Sequence, residues 1–201
     1  MKGSPLLLEK RNRQKTKYLA RRIVSCIAAT IAGVKPATEM NLTNGKNKVF
    51  DLWDEVGEDL FAGSHLDYFE LRRSDKGVIV LFFSRHRLSE ILSQKKIREF
   101  LGFMGYEVGS ESEEILNILR KRFSSNSFPH EIGIFLGIPL KDVQAFMGIV
   151  SLPYTRTGMW KVYGRPEDSF RLMKKYKEER NNVKRRLAMK EDPIKLIREA
   201  S

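Results

Sequence analysis

Apolar residues recur every four positions through Leu19, Ile23, Ile27 and Ile31, the spacing of one buried face on an amphipathic helix. The pattern predicts a first helix over Glu9–Gly33, stopped by Gly33 and Pro36. Its apolar part, Ile23–Val34, follows a basic stretch and superficially resembles a signal peptide. It is shorter than the ~20 apolar residues a bilayer requires, and Ser25, Cys26 and Thr30 dilute it. A cytoplasmic helix is the expectation. Residues 36–48 read as a loop with an Asn44-Gly45 turn signal. Val49–Phe61 returns to helical spacing, with Phe50, Leu52, Trp53, Val56, Leu60 and Phe61 on the apolar positions.

The period then changes. Leu66–Arg73 alternates, Asp75-Lys76-Gly77 makes a turn, and Val78–Phe83 is continuously apolar, so the pair reads as a hairpin whose second strand is central. Helices are expected over Ser84–Ser93 and Lys95–Tyr106. Ser110-x-x-Glu113 has the form of a capping box ahead of Ile115, Leu116, Leu119 and Phe123. Pro129–Leu136 and Pro139–Val150 read as short helices opened by proline, Met159–Tyr163 as a short strand, and Pro166–Met189 as a long basic helix broken before Pro193. No internal repeat is visible. The fold class is α+β: a small antiparallel sheet, a hairpin plus one short strand, packed with several helices and bearing long basic helices at both ends. Residues 1–19 form a basic extension running into the first helix, 20–189 a single domain, and 190–201 a C-terminal tail.

Composition narrows the classes. With 41% hydrophobic and 10% aromatic residues in 201, the chain can bury a core and is not disordered. A single cysteine excludes a disulfide framework and a cysteine-built zinc site. His65, His86 and His130 lack metal-hydrolase spacing, and neither a P-loop nor GxGxxG is present. No metal, cofactor or catalytic residue is assigned. The formal net charge of +12 belongs to the ends: residues 1–22 carry +7, residues 170–201 carry +6, and the rest −1. Arg11, Arg13, Lys15, Lys17, Arg21, Arg22, Lys184, Arg185 and Arg186 are therefore candidates for contact with nucleic acid or another polyanion. The alternative is a pair of solvated helices.

Residues 128–164 carry the most specific pattern. Phe128-Pro-His-Glu-Ile-Gly-Ile-Phe-Leu-Gly-Ile-Pro-Leu-Lys-Asp-Val-Gln-Ala-Phe146 is followed by Trp160-Lys-Val-Tyr-Gly164. This closely resembles a family of bacterial proteins, a domain of unknown function numbered thirty-seven ninety-three in its series. Cys26 with Thr30-x-Ala-Gly-Val-Lys35, and Leu101-Gly-x-x-Gly-Tyr106, resemble two further segments of that family. The resemblance covers roughly residues 20–185 and implies no activity. Many relatives carry a cysteine just before the GxWKVYG stretch and another in the last helix. Arg156 and about Glu179 stand at those places here, which leaves this chain without thiol-based metal or redox chemistry there.

Several constellations have both a chemical and a structural reading. His130 and Glu131 open a helix: an acid–base pair on one reading, a backbone-bonded His and a dipole-compensating Glu on the other. Cys26, near the apolar stripe, reads as a small core residue. Gly133, Gly137 and Val143 have the spacing of a helix-turn-helix, yet only Lys141 and Gln144 are offered for base reading, with Asp142 repelling phosphate. In a strand, Lys161 and Tyr163 share one face and Trp160 and Val162 the other; with Arg156 and Arg165 nearby, that face could stack on and neutralise a ligand. Arg85, His86 and Arg87 end the central strand, where two arginines could hold an anion.

The leading expectation is a non-enzymatic cytoplasmic binding or adaptor protein whose basic ends contact an anionic partner. The alternatives are an enzyme or small-ligand-binding protein with a site at Arg85, His130, Glu131, Arg156, Trp160, Lys161 and Tyr163, or helix-turn-helix-like DNA binding. The two motifs should be neighbours in space, with Phe128, Ile132, Phe135, Phe146 and Trp160 packed together.

Overall fold

In the computed structural model, which describes residues 5–45, 48–107, 111–123 and 128–200, the chain is α+β. Ser110, the proposed cap of the acidic-capped helix, lies outside the described residues. The element order is α1 (Pro5–Ile31), β1 (Ala37–Thr43), α2 (Val49–Phe61), β2 (Leu66–Ser74), β3 (Gly77–Ser84), α3 (Arg85–Leu92), α4 (Lys95–Phe103) and α5 (Ser112–Phe123). It continues with α6 (Ile132–Phe135), α7 (Leu140–Phe146), β4 (Tyr154–Thr157), β5 (Lys161–Tyr163), α8 (Glu167–Ala188) and α9 (Pro193–Arg198).

Every residue of β3 is buried. It is the middle strand of an antiparallel sheet ordered β1-β3-β2. Because side chains alternate across a strand, Val78, Val80 and Phe82 enter one core and Ile79, Leu81 and Phe83 the other. The first core lies under α1, α2, α8 and α9; the second lies under α3 to α7. Trp53, Phe61, Tyr68 and Phe82 join rings in the first core, and the Trp53 indole donates to Glu70 at 2.9 Å.

The structure departs from the sequence reading in four places. Residues 37–43 form strand β1 rather than a loop, in register with β3 from Ala37↔Phe83 to Thr43↔Gly77; Ala37, Met40 and Leu42 face the cores. The short strand near Trp160 does not join the hairpin: it pairs with β4, which the sequence reading did not mark, in a separate two-stranded ribbon. Cys26 is exposed, since a side chain next to the Ile23–Ile27 stripe turns outward by a third of a turn. The C-terminal residues through Ala200, expected as a tail, are docked: α9 lies against α1 and α2, Leu196, Ile197 and Ala200 are buried, and Ser64 Oγ donates to the Ile197 carbonyl at 2.6 Å.

Candidate functional site: a cationic aromatic face over two buried carboxylates

Among the described residues, Glu131 and Asp142 are the only buried acids. Both belong to the 128–146 motif, and each holds several segments together. Asp142 lies in the first turn of α7. Its Oδ1 accepts Lys141 Nζ at 2.8 Å and the Tyr163 backbone N–H at 2.9 Å. Its Oδ2 accepts Trp160 Nε1 at 2.9 Å and Ser169 Oγ at 2.6 Å. One carboxylate thus ties α7 to β5 and to the first turn of α8. Burial opposes its ionisation, but these four donors outweigh burial and hold the carboxyl below its ordinary value. Lys141 also donates to the Tyr163 carbonyl at 2.7 Å, so it is committed inward.

Glu131 is the second tie. Its Oε1 faces Arg122 of α5 at 3.1 Å and accepts the Tyr106 hydroxyl at 3.2 Å. Arg122 lies over the Tyr106 ring and bonds the Met104 carbonyl. Burial, then the Glu131 charge, push the Tyr106 phenol well above its ordinary range. Glu131 does not cap α6, which makes no side-chain cap bond and has only four residues, so the dipole role expected for it is not the one it has. Nor does it pair with His130, which is exposed.

The α6–α7 hairpin is tight for steric reasons. A Cβ on Gly133 would sit 2.8 Å from Val143, and Gly137 turns at φ 73° with Tyr176 Oη and Pro36 inside 2.7 Å of a Cβ placed there. The spacing that resembled a helix-turn-helix is therefore a packed corner. Asp142, expected to face outward, is its anchor.

The two motifs do meet, through Asp142–Trp160 and Asp142–Tyr163 rather than through an aromatic cluster. Ile132 and Phe135 are buried, Trp160 is half-buried against Tyr176, and Phe128 and Phe146 are 50% and 45% exposed. Those two rings flank His130: Phe128 to His130 is 6.2 Å and His130 to Phe146 is 5.0 Å between centroids. Lys161 Nζ lies 5.5 Å from the Phe146 centroid. On the same strand Val162 is buried, Lys161 is exposed, and Tyr163 meets Tyr154 of β4 at 6.0 Å. All four residues of β4, Arg156 among them, are exposed.

Burial has therefore sorted the charges. Between Phe128 and Pro166 the sequence has two acids, Glu131 and Asp142, and both point inward onto cations. The outward charges are Arg156, Lys161 and Arg165, and among the described residues none of them has an ion-pair partner. Six of the eight exposed large hydrophobics of the described residues lie in the same stretch: Phe128, Phe146, Ile149, Leu152, Tyr154 and Met159.

Arg85 is elsewhere. It pairs with Asp67 at 2.8 Å on the rim of an open cleft of about 760 Å³ between the sheet end and α3 to α5. Leu92, Leu101, Tyr106, Ile115 and Leu116 form the apolar lining, and Glu107, Glu111 and Glu113 add acid beside Arg85 and Arg98. Tyr106, which lines this cleft, also donates its hydroxyl to Glu131.

The terminal helices α1 and α8 lie side by side, but many of their cations are already engaged. Lys15 pairs with Glu55, Lys17 with Asp192 and Arg186 with Glu191; Arg21 donates to the Leu187 carbonyl, and Arg185 to Asn182. Arg13, Arg22 and Lys184 remain exposed, and at Arg11 only the backbone is described. The described residues contain no group of three or more His, Cys, Asp or Glu placed to hold a metal, and no helix long and apolar enough to cross a membrane.

A two-cored α+β domain with a motif face held by two buried carboxylates is the class that fold and site define. Within it, the chain belongs to the family described as "Protein of unknown function (DUF3793)", whose model matches residues 23–197. No curated protein and no solved structure matches the chain.

Proposed function

We propose that this protein is a non-enzymatic binding module and that its contact surface is the face formed by Phe128, His130, Phe146, Tyr154, Arg156 and Lys161. The observation that carries the reading is the sorting of charge: both acids of the stretch are buried and neutralised, while Arg156, Lys161 and six large apolar side chains of the same stretch are exposed and Lys161 lies against the Phe146 ring. Exposed apolar groups of this size mark interaction surfaces, and Phe, Tyr, Met and Arg are the residues enriched in them. Aliphatic Ile149 and Leu152 favour a protein over a nucleic acid, for which stacking rings and cations alone would suffice. The partner is an acidic protein segment with apolar side chains, met in the cytoplasm, where the lone Cys26 stays reduced.

Fluorescence anisotropy with a labelled acidic amphipathic peptide and a labelled oligo-dT tests this. The reading expects the peptide to bind, to weaken with salt, and to be released by Arg156→Glu with Lys161→Glu at unchanged melting temperature. Tighter binding of oligo-dT, lost in the same variant, would replace the protein partner with single-stranded nucleic acid. Peptide binding that survives the double reversal overturns the face.

A further inference from the structure

The β4–β5 ribbon has one edge taken and one edge open. Tyr163 of β5 donates its backbone N–H to Asp142 Oδ1 at 2.9 Å, and its carbonyl accepts Lys141 Nζ at 2.7 Å. Both main-chain groups of Tyr163 therefore point away from β4, toward α7, which packs against β5. In an antiparallel ladder the residue opposite such a position turns its own groups outward as well. Tyr154 stands opposite Tyr163, and two residues back along β5 Lys161 stands opposite Thr157. The N–H and C=O groups of Tyr154 and Thr157 thus lie on the outer edge of β4, and among the described residues no hydrogen bond reaches them. That edge is open to solvent: every residue from Ser151 to Met159 is exposed.

We propose, resting on the binding face described above, that the partner segment is extended and adds to β4 as a third strand. Main-chain bonds to Tyr154 and Thr157 hold it, and its side chains set the specificity. Those side chains alternate between the two faces of the enlarged ribbon. One set meets the face that carries Tyr154 and Thr157, whose hydroxyls bond at 2.9 Å, with Tyr163 beside them. Apolar side chains suit that set. The other set lies level with Arg156, which is in register with the buried Val162. Acidic side chains suit it, because Arg156 and its neighbours Lys161 and Arg165 are exposed and, among the described residues, have no ion-pair partner. The segment therefore repeats acid and apolar residues with a period of two, not 3.6. Charge selects against a second copy of this chain, since pairing β4 with β4 would set Arg156 beside its own counterpart.

The test uses the full ¹⁵N-labelled chain and a capped ten-residue peptide alternating Glu with Val. Two further forms carry N-methyl groups on alternate residues, one on the Glu nitrogens and the other on the Val nitrogens. A strand pairs through one edge at a time, so one methylated form should bind like the parent and the other at least tenfold more weakly. Amide hydrogen exchange at Tyr154 and Thr157 should slow at least tenfold at saturating parent peptide, because both N–H groups gain acceptors. Equal affinity of the two methylated forms, or unchanged exchange at Tyr154 and Thr157, overturns strand addition and leaves the face itself standing. So does a parent peptide that fails to bind where an acidic peptide of the same composition and helical period succeeds. Failure of both peptides overturns the face and the added strand together.

Discussion

At the residue scale the account turns on Asp142. Four donors converge on one buried carboxylate, and no neutral side chain of similar size accepts from all four. Asp142→Asn places amide hydrogens against Ser169 or Lys141 and should cost about 3 kcal/mol by denaturant unfolding. Because the folded-state carboxyl is held below its ordinary 3.8, its contribution is present above that value and is lost as pH falls through the folded value. Wild-type stability should therefore decline below about pH 4, and the decline should be shallower in Asp142→Asn; equal acid slopes would assign the loss to other groups. Trp160 is only half-buried, and its indole is one donor among four. Trp160→Phe should cost about 1 kcal/mol, less than the loss expected of a fully buried tryptophan.

At the element scale the docked ends carry more of the fold than their composition suggests. Helix α9 buries Leu196 and Ile197 against α1 and α2, so Ile197→Ala should cost about 2–5 kcal/mol and deletion of 193–201 should leave the chain largely unfolded in circular dichroism. Gly137→Ala meets both a positive φ and contacts under 3 Å, and should lower stability by at least about 2 kcal/mol in the same assay. Much of this scale was legible in the sequence. The hairpin, its central strand and α1, α2, α4 and α8 are written in periods of two or about four. Strand β1 was not, because Asn41, Thr43 and the Asn44-Gly45 signal dominate a short segment, and only one of its flanks pairs with β3. The inward acids escaped for a different reason. Sequence shows Glu131 and Asp142 as helix-start charges, while Trp160, Ser169, Tyr106 and Arg122, which make burial tolerable, arrive from 18 to 27, 25 and 9 positions away. Prolines ahead of both helices were visible; the donors were not.

At the scale of the whole molecule, net charge is a poor guide to where an anion binds. The two ends carry +13 against −1 for the rest, yet Lys15, Lys17 and Arg186 face carboxylates and Arg21 a carbonyl. Any polyanion attraction left at Arg13, Arg22 and Lys184 is exposed and should be largely screened at physiological salt, within a Debye length of about 8 Å. The 128–165 stretch has fewer outward cations, but among the described residues Arg156, Lys161 and Arg165 have no ion-pair partner, and the same stretch exposes rings and aliphatic side chains that bury apolar area on contact. The most direct measurement is a ¹H–¹⁵N correlation spectrum of the labelled protein titrated with the acidic amphipathic peptide. The account predicts that amide shifts concentrate at His130, Phe146, Tyr154, Arg156, Lys161 and Tyr163. Shifts confined to the terminal helices around Arg13, Arg22 and Lys184, or to the cleft lined by Arg85 and Arg98, would contradict it.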